Sequence, residues 1–160
     1  MAIYNAVVTE NQINFPKDDI ICQKYIAGIP GGRALDVDAD YPLSVIYAGT
    51  PVIVKDGNYK PFPLVADASV ELGYKLGTLP EGYAYAGLLY KSIKAKNPAA
   101  SILIAGTINE AALYFPLNNL VKAAVKAAFP AINFVADEEA QPAGPTVTGP
   151  EIVVEDEGQI

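Results

Sequence analysis

Three aspartates at alternate positions, Asp36, Asp38 and Asp40, are the residues whose type and spacing come nearest to chemistry in this chain. Carboxylates at the first, third and fifth places of a loop can hold a hard divalent cation, as they do in calcium loops. The pattern stops there. The sixth position is Tyr41, where a glycine is needed for the turn, and the twelfth is Tyr47, where a bidentate glutamate completes the shell. The expectation is a solvated strand or loop with Leu35 and Val37 turned inward. Gly28, Gly31 and Gly32 around Pro30 likewise predict a loop and no phosphate cradle, since neither GxGxxG nor a terminal Gly-Lys-Ser/Thr is present. Glu110, beside Asn109 at the end of a β-prone run, is expected to be a solvated or hydrogen-bonded loop residue rather than a catalytic acid. Cys22 is the only cysteine, and Ile20, Ile21 and Tyr25 around it predict a small buried thiol. The absence of histidine removes Ser-His and Cys-His catalysis and imidazole-bound metal. No Ser-x-x-Lys or nucleophile-elbow arrangement takes their place. The chain is therefore expected to carry no catalytic residue, no metal site and no cofactor.

Composition narrows the partners. The net charge of −7 is unevenly placed: Asp137, Glu138, Glu139, Glu151, Glu155, Asp156 and Glu157 are seven of the eighteen acids, and no Lys or Arg accompanies them. The other eleven acids face eleven basic residues, so residues 1 to 136 are neutral overall. Arg33 is the single arginine, and without a basic footprint no nucleic-acid partner is expected. Ten tyrosines and no tryptophan suit packed loops and protein contacts. No run approaches the roughly 18 apolar residues of a membrane span, and the amino terminus lacks the pattern of a signal peptide. A soluble intracellular product, with no membrane partner, is expected.

The elements that must position these residues read as mainly β. Between Ala84 and Phe115 two β-rich runs, with Leu88, Leu89, Tyr90 and Ile93 on one side and Ile102, Leu103, Ile104 and Ile108 on the other, flank turn chemistry at Asn97-Pro98-Ala99-Ala100-Ser101. Two further runs between Val45 and Leu64 flank Lys55-Asp56-Gly57-Asn58, where Asp-Gly favours a type I′ hairpin and Val52, Val54, Tyr59 and Phe62 are core or cross-strand candidates. A short strand is expected from Ile20 to Ile26, after an exposed corner at Lys17-Asp18-Asp19. Residues 65 to 82 stay open between a helical turn and a strand. Leu117, Leu120, Val121, Ala124, Val125 and Ala128 make one apolar stripe of helical period, with Asn118 or Asn119 to cap it and Pro130 to end it. Ala131 to Ala136 closes as a strand. Outside the domain at 17–136 lie two appendages. Residues 1–16, strand-prone and nearly uncharged, are either an edge strand or an arm that adds a strand to another chain. Residues 137–160 are an acidic tail with Pro142, Pro145 and Pro150, broken by an apolar Ile152-Val153-Val154 that could dock on a neighbour or on its own domain.

In order, the chain shows an Ala48-Gly49-Thr50-Pro51 entry into a strand, an Asp56-Gly57-Asn58-Tyr59 turn and strand, and an Ala86-Gly87-Leu88-Leu89 strand. A strand then ends Gly106-Thr107-Ile108-Asn109-Glu110-Ala111-Ala112-Leu113, followed by an Ala- and Lys-bearing helix and a final Ala131-Ile132-Asn133-Phe134-Val135. This ordered set, over roughly residues 40 to 136, resembles the head decoration proteins of tailed phages. The resemblance implies a mainly β (α+β) fold, a small β-barrel or β-tulip-like domain with one covering helix. It further implies a homotrimer that is made in the host cytoplasm, binds the outer surface of the capsid and stabilises the mature head, with major capsid protein as partner. The family's use of an amino-terminal arm suggests capsid contacts at Ile3, Tyr4, Val7, Val8, Ile13 and Phe15. The segment from Asp18 to Asp40 and the acidic tail depart from the compact pattern. Alternatives are the capsid-bound base of a head fibre, a carbohydrate-binding or adhesion β-module with a tyrosine platform, and, last, a metal-dependent hydrolase on the three aspartates.

Overall fold

The structure is a computed structural model and describes residues 15–135. A short helix α1 (Pro16–Ile21) leads into β1 (Cys22–Gly28), and β2 (Arg33–Ala34), β3 (Val45–Ile46), β4 (Pro51–Lys55), β5 (Asn58–Pro61), β6 (Leu64–Ala66) and β7 (Tyr74–Leu76) follow. Then come β8 (Ala84–Leu89), β9 (Ile93–Lys94), β10 (Ala99–Ala100) and β11 (Ile102–Asn109), a 3-10 turn at Glu110–Ala112, helix α2 (Asn119–Ala128) and β12 (Ile132–Val135). The chain is mainly β with helical cover, as its patterning predicts.

The central sheet has the order β1-β11-β8-β4-β5, and β12 adds in parallel to β11 over Gly106–Asn109. β8 takes the start of the edge of β11 through Leu88↔Leu103 and Leu89↔Ile102. The sheet is open, which corrects the expected barrel. Its apolar residues explain this. Ile53, Leu88 and Leu103 belong to one core with Ile21, Phe62, Val121, Val125 and Ile132, whereas their neighbours Val52, Leu89 and Ile102 belong to a second core with Leu35, Ile46 and Ala100. Successive strand residues point to opposite faces, so the centre of the sheet is buried on both sides. Closure would have to turn one of those cores into a lumen. β8 also carries a bulge: the register shifts between Val52↔Gly87 and Ile53↔Tyr85, leaving Ala86 unpartnered. Gly87 sits there at φ 142, and a Cβ on it would fall 2.5 Å from the Leu103 carbonyl oxygen, so a side chain would force β11 away.

The Asp56-Gly57 hairpin forms as predicted, with φ of 49 and 76, and places Val52 opposite Pro61 and Val54 opposite Tyr59. Val52 and Phe62 are fully buried, and the Phe62 ring stacks on Tyr85 with centroids 6.0 Å apart. One open stretch resolves and three expectations change. The open stretch at 65–82 is a hairpin, β6 on β7. The run Ile20–Ile26 begins as helix: Pro16 supplies a preset first helical position and Asp18 and Asp19 favour the positive end of the helix, so β1 starts only at Cys22. Residues between β8 and β11 form no tight turn. Ile93 leaves the first strand to pair with Ile46, and Ala99–Ala100 pairs with Ala34 and Arg33, so the connector builds part of the second cover layer. Last, the apolar stripe of α2 is narrower than its period suggests. Asn118 caps it through Val121 N–H at 2.8 Å, and Val121 and Val125 are buried, but Leu120 is 80% exposed and Ala128 is exposed. With the helix starting at Asn119, Leu117 packs from the loop, and Leu120 stands about 100° round the axis from the inward Val121–Val125 line.

Candidate interaction surface

Where the chain enters the described domain, α1 is stapled down by groups distant in sequence. Asp18, 5% exposed, accepts the Ser92 N–H at 2.7 Å and the Ser92 hydroxyl at 2.6 Å. The Ser92 hydroxyl oxygen in turn accepts the Ala48 N–H at 2.9 Å, so one carboxylate ties α1 to the β9 connector and to the entry of β4. Asp19 pairs with Lys91, and this bond raises the Lys91 ammonium above its ordinary pKa. On the other side of α1 the Phe15 ring meets Tyr47 edge-on at 5.8 Å, Tyr47 lies 4.2 Å from Tyr114, and the Lys17 ammonium stands 4.8 Å over the Tyr114 ring. Burial raises the Tyr114 phenol, with Asp18 and Tyr47 adding to it. The root of the amino-terminal segment is thus held by a hydrogen-bond chain and an aromatic cluster.

β1 lies beside this root as an edge of the sheet, with β11 on its inner side. Gln23, Lys24, Tyr25 and Ile26 are all exposed, and Ile20 of α1 joins them. Ile26 at 59%, Ile20 at 49% and Tyr25 at 48% are large apolar groups in water. Tyr25 is propped against Tyr90 with centroids 4.8 Å apart, and Lys91 lies 5.0 Å over the Tyr90 ring. Register shifts at three places along β1 interrupt a regular outer ladder, so the edge offers exposed apolar side chains more than a long hydrogen-bonding template. Cys22 starts the strand facing the core, where burial pushes the pKa of its thiol up. Ile20 and Tyr25, expected to bury it, face solvent instead.

The residues that came nearest to chemistry are otherwise engaged. Asp36 accepts the Asn58 amide at 3.0 Å, and Asp38 accepts the Lys60 ammonium at 2.9 Å and raises its pKa. Both carboxylates are drawn onto β5, while Leu35 is buried and Val37 half-buried as predicted. Among the described residues no group of three or more His, Cys, Asp or Glu could hold a metal ion. Glu110 opens the 3-10 turn, where Asn109 accepts the Ala111 N–H at 3.1 Å, and its buried Oε1 takes Lys122 of α2 as an ion pair rather than as an aligned hydrogen bond. Among the described residues no helix is long and apolar enough to cross a membrane.

Of the expected capsid-contact residues, Phe15 is half-buried against its own domain. Ile3, Tyr4, Val7, Val8 and Ile13 lie outside the described residues, as do Ile152, Val153 and Val154. The exposed trio Ile20, Tyr25 and Ile26 was not legible as a surface, because apolar residues in a β-prone run read as core. Comparison with protein-family models, with curated proteins and with solved structures finds no match.

Proposed function

We propose that this chain is a non-enzymatic virion protein that decorates the outer surface of a tailed-phage capsid and stabilises the mature head. The observation that carries the reading is the apolar edge formed by Ile20, Tyr25 and Ile26 beside the anchored root at Phe15. Large apolar groups left in water on a rigid support are places where another protein can bind. In this reading the segment before Phe15, through Ile3, Tyr4, Val7, Val8 and Ile13, reaches major capsid protein while α1 and β1 seat the body. Three copies around one axis would repeat the contact, and modest single affinities then suffice because tethered sites bind at high effective concentration. The carboxylates tied to Lys60, Asn58 and Lys122 serve folding in the same reading.

The test is sedimentation of purified protein with expanded and with unexpanded phage shells. Co-pelleting with expanded shells, saturating at a fixed ratio to major capsid protein, is the expected result. Failure to pellet with either shell would end the proposal. A saturating ratio far below one per three-fold position would transfer the protein to the base of a sparser head fibre.

A further inference from the structure

On the β3–β9 side of the domain a groove of about 640 Å³ runs between the 37–45 segment and residues 94–96. Tyr41, Leu43, Val45 and Ala95 make its apolar lining, and Lys94 and Lys96 stand along one wall. Asp38, the acid in the lining, is neutralised by Lys60 at 2.9 Å. The groove therefore combines an apolar floor with a cationic wall. Tyr41 contributes to the lining, while its hydroxyl is buried away from solvent without a hydrogen-bond partner; burial, and then the nearby Tyr47 phenol, hold its proton more tightly than in water.

The chain carries one segment with the complementary composition. Ile152-Val153-Val154 is a short apolar run with Glu151 before it and Glu155, Asp156 and Glu157 after it. We infer that this segment of the tail docks in the groove of its own copy, its aliphatic side chains on Tyr41, Leu43, Val45 and Ala95 and its flanking acids against Lys94 and Lys96. Charge complementarity selects this occupant over the amino-terminal segment, where Glu10 is the only acid among residues 1–16 and no base is present. Length permits the contact: Ile152 is seventeen residues beyond Val135, a reach of up to about 55 Å, against a domain diameter of roughly 35 Å. A same-copy tether also places the segment at millimolar effective concentration, which favours it over a free competitor. The inference is independent of capsid binding, and it assigns the tail a site on the side of the domain built from β3 and β9.

Amide chemical shifts of the full chain test it. The double variant Ile152→Asp/Val154→Asp is expected to shift amides at 37–45 and 94–96 and to leave the β1–β11 pair unchanged. Lys96→Glu should reproduce part of those shifts, and adding Glu155→Lys should restore them, a rescue that general loosening of the domain would not give. Groove amides that do not respond to the tail variant would overturn the inference. So would groove shifts in the wild-type chain that fade on about 100-fold dilution, since a tether makes same-copy docking independent of concentration; the groove would then belong to a neighbouring copy.

Discussion

Asp18 shows how one side chain can organise a corner of this molecule. A buried carboxylate with two short bonds from Ser92, itself bonded by the Ala48 amide, leaves unpaired polar groups if it is cut away. Asp18→Ala is expected to lower stability by about 1.5–3 kcal/mol, the range for hydrogen bonds to a charged group, and Asp18→Asn by less, as read from urea midpoints. Its neighbour in kind, Asp67, works at the surface. The Ser69 hydroxyl at 2.5 Å, then the Ser69 amide and Lys75, hold its carboxyl at about 2, below the ordinary 3.8. A depressed folded pKa means that the stabilisation is fully present above about pH 4 and is lost as pH falls through about 2. Asp67→Asn should accordingly flatten the acid limb of the stability profile in that window. An acid limb identical to wild type would show that these bonds do not persist in solution. Neither role was legible beforehand: Asp18 reads as part of an exposed corner because Ser92 is 74 residues away, while the Asp67–Ser69 bond is local but sits in a stretch of weak pattern.

Among the elements, those whose chemistry is local were readable and those set by distant contacts were not. The β4–β5 hairpin follows from Asp56-Gly57 alone. Gly57 has φ 76 and nothing within 4 Å of where its Cβ would be, so Gly57→Ala meets no clash and costs only the left-handed backbone penalty, about 1–2 kcal/mol. A loss well above this would mean that the turn does more than reverse the chain. Helix α2 was placed correctly by Asn118 and Pro130, yet its buried face was drawn too wide. The contrast is measurable. Val125→Ala should cost roughly 2 kcal/mol through lost burial and cavity, whereas Leu120→Ala should change stability by no more than about 0.5 kcal/mol. The connector between β8 and β11 escaped because two-residue ribbons carry no period. β9 and β10 are strands only by virtue of β3 and β2, which arrive from the other half of the chain.

At the scale of the whole molecule, an open sheet with covers on both faces leaves its β1 edge beside the root of the amino-terminal segment. The proposed function predicts a separation between folding and binding there. Ile26→Lys replaces an exposed apolar side chain with a residue that edge strands favour, so stability should stay within about 0.5 kcal/mol of wild type. Co-sedimentation with expanded shells should fall steeply. A variant that folds and still pellets like wild type would remove β1 from the contact and leave binding to the segment before Phe15.

Read without coordinates, the chain already specified a mainly β domain, the Asp-Gly hairpin, a capped α2 ended by Pro130, the lack of imidazole chemistry and the acidic tail. Each depends on residue type or on spacing within a few positions, where backbone preference and period act directly. The helical start at Pro16, the two-sided burial of the sheet, the pairing of Asp18 with Ser92 and the exposure of Ile26 and Leu120 came from the fold. Local pattern says that a residue is apolar or charged; which surface receives it depends on strands that meet across most of the chain, such as β1 against β11.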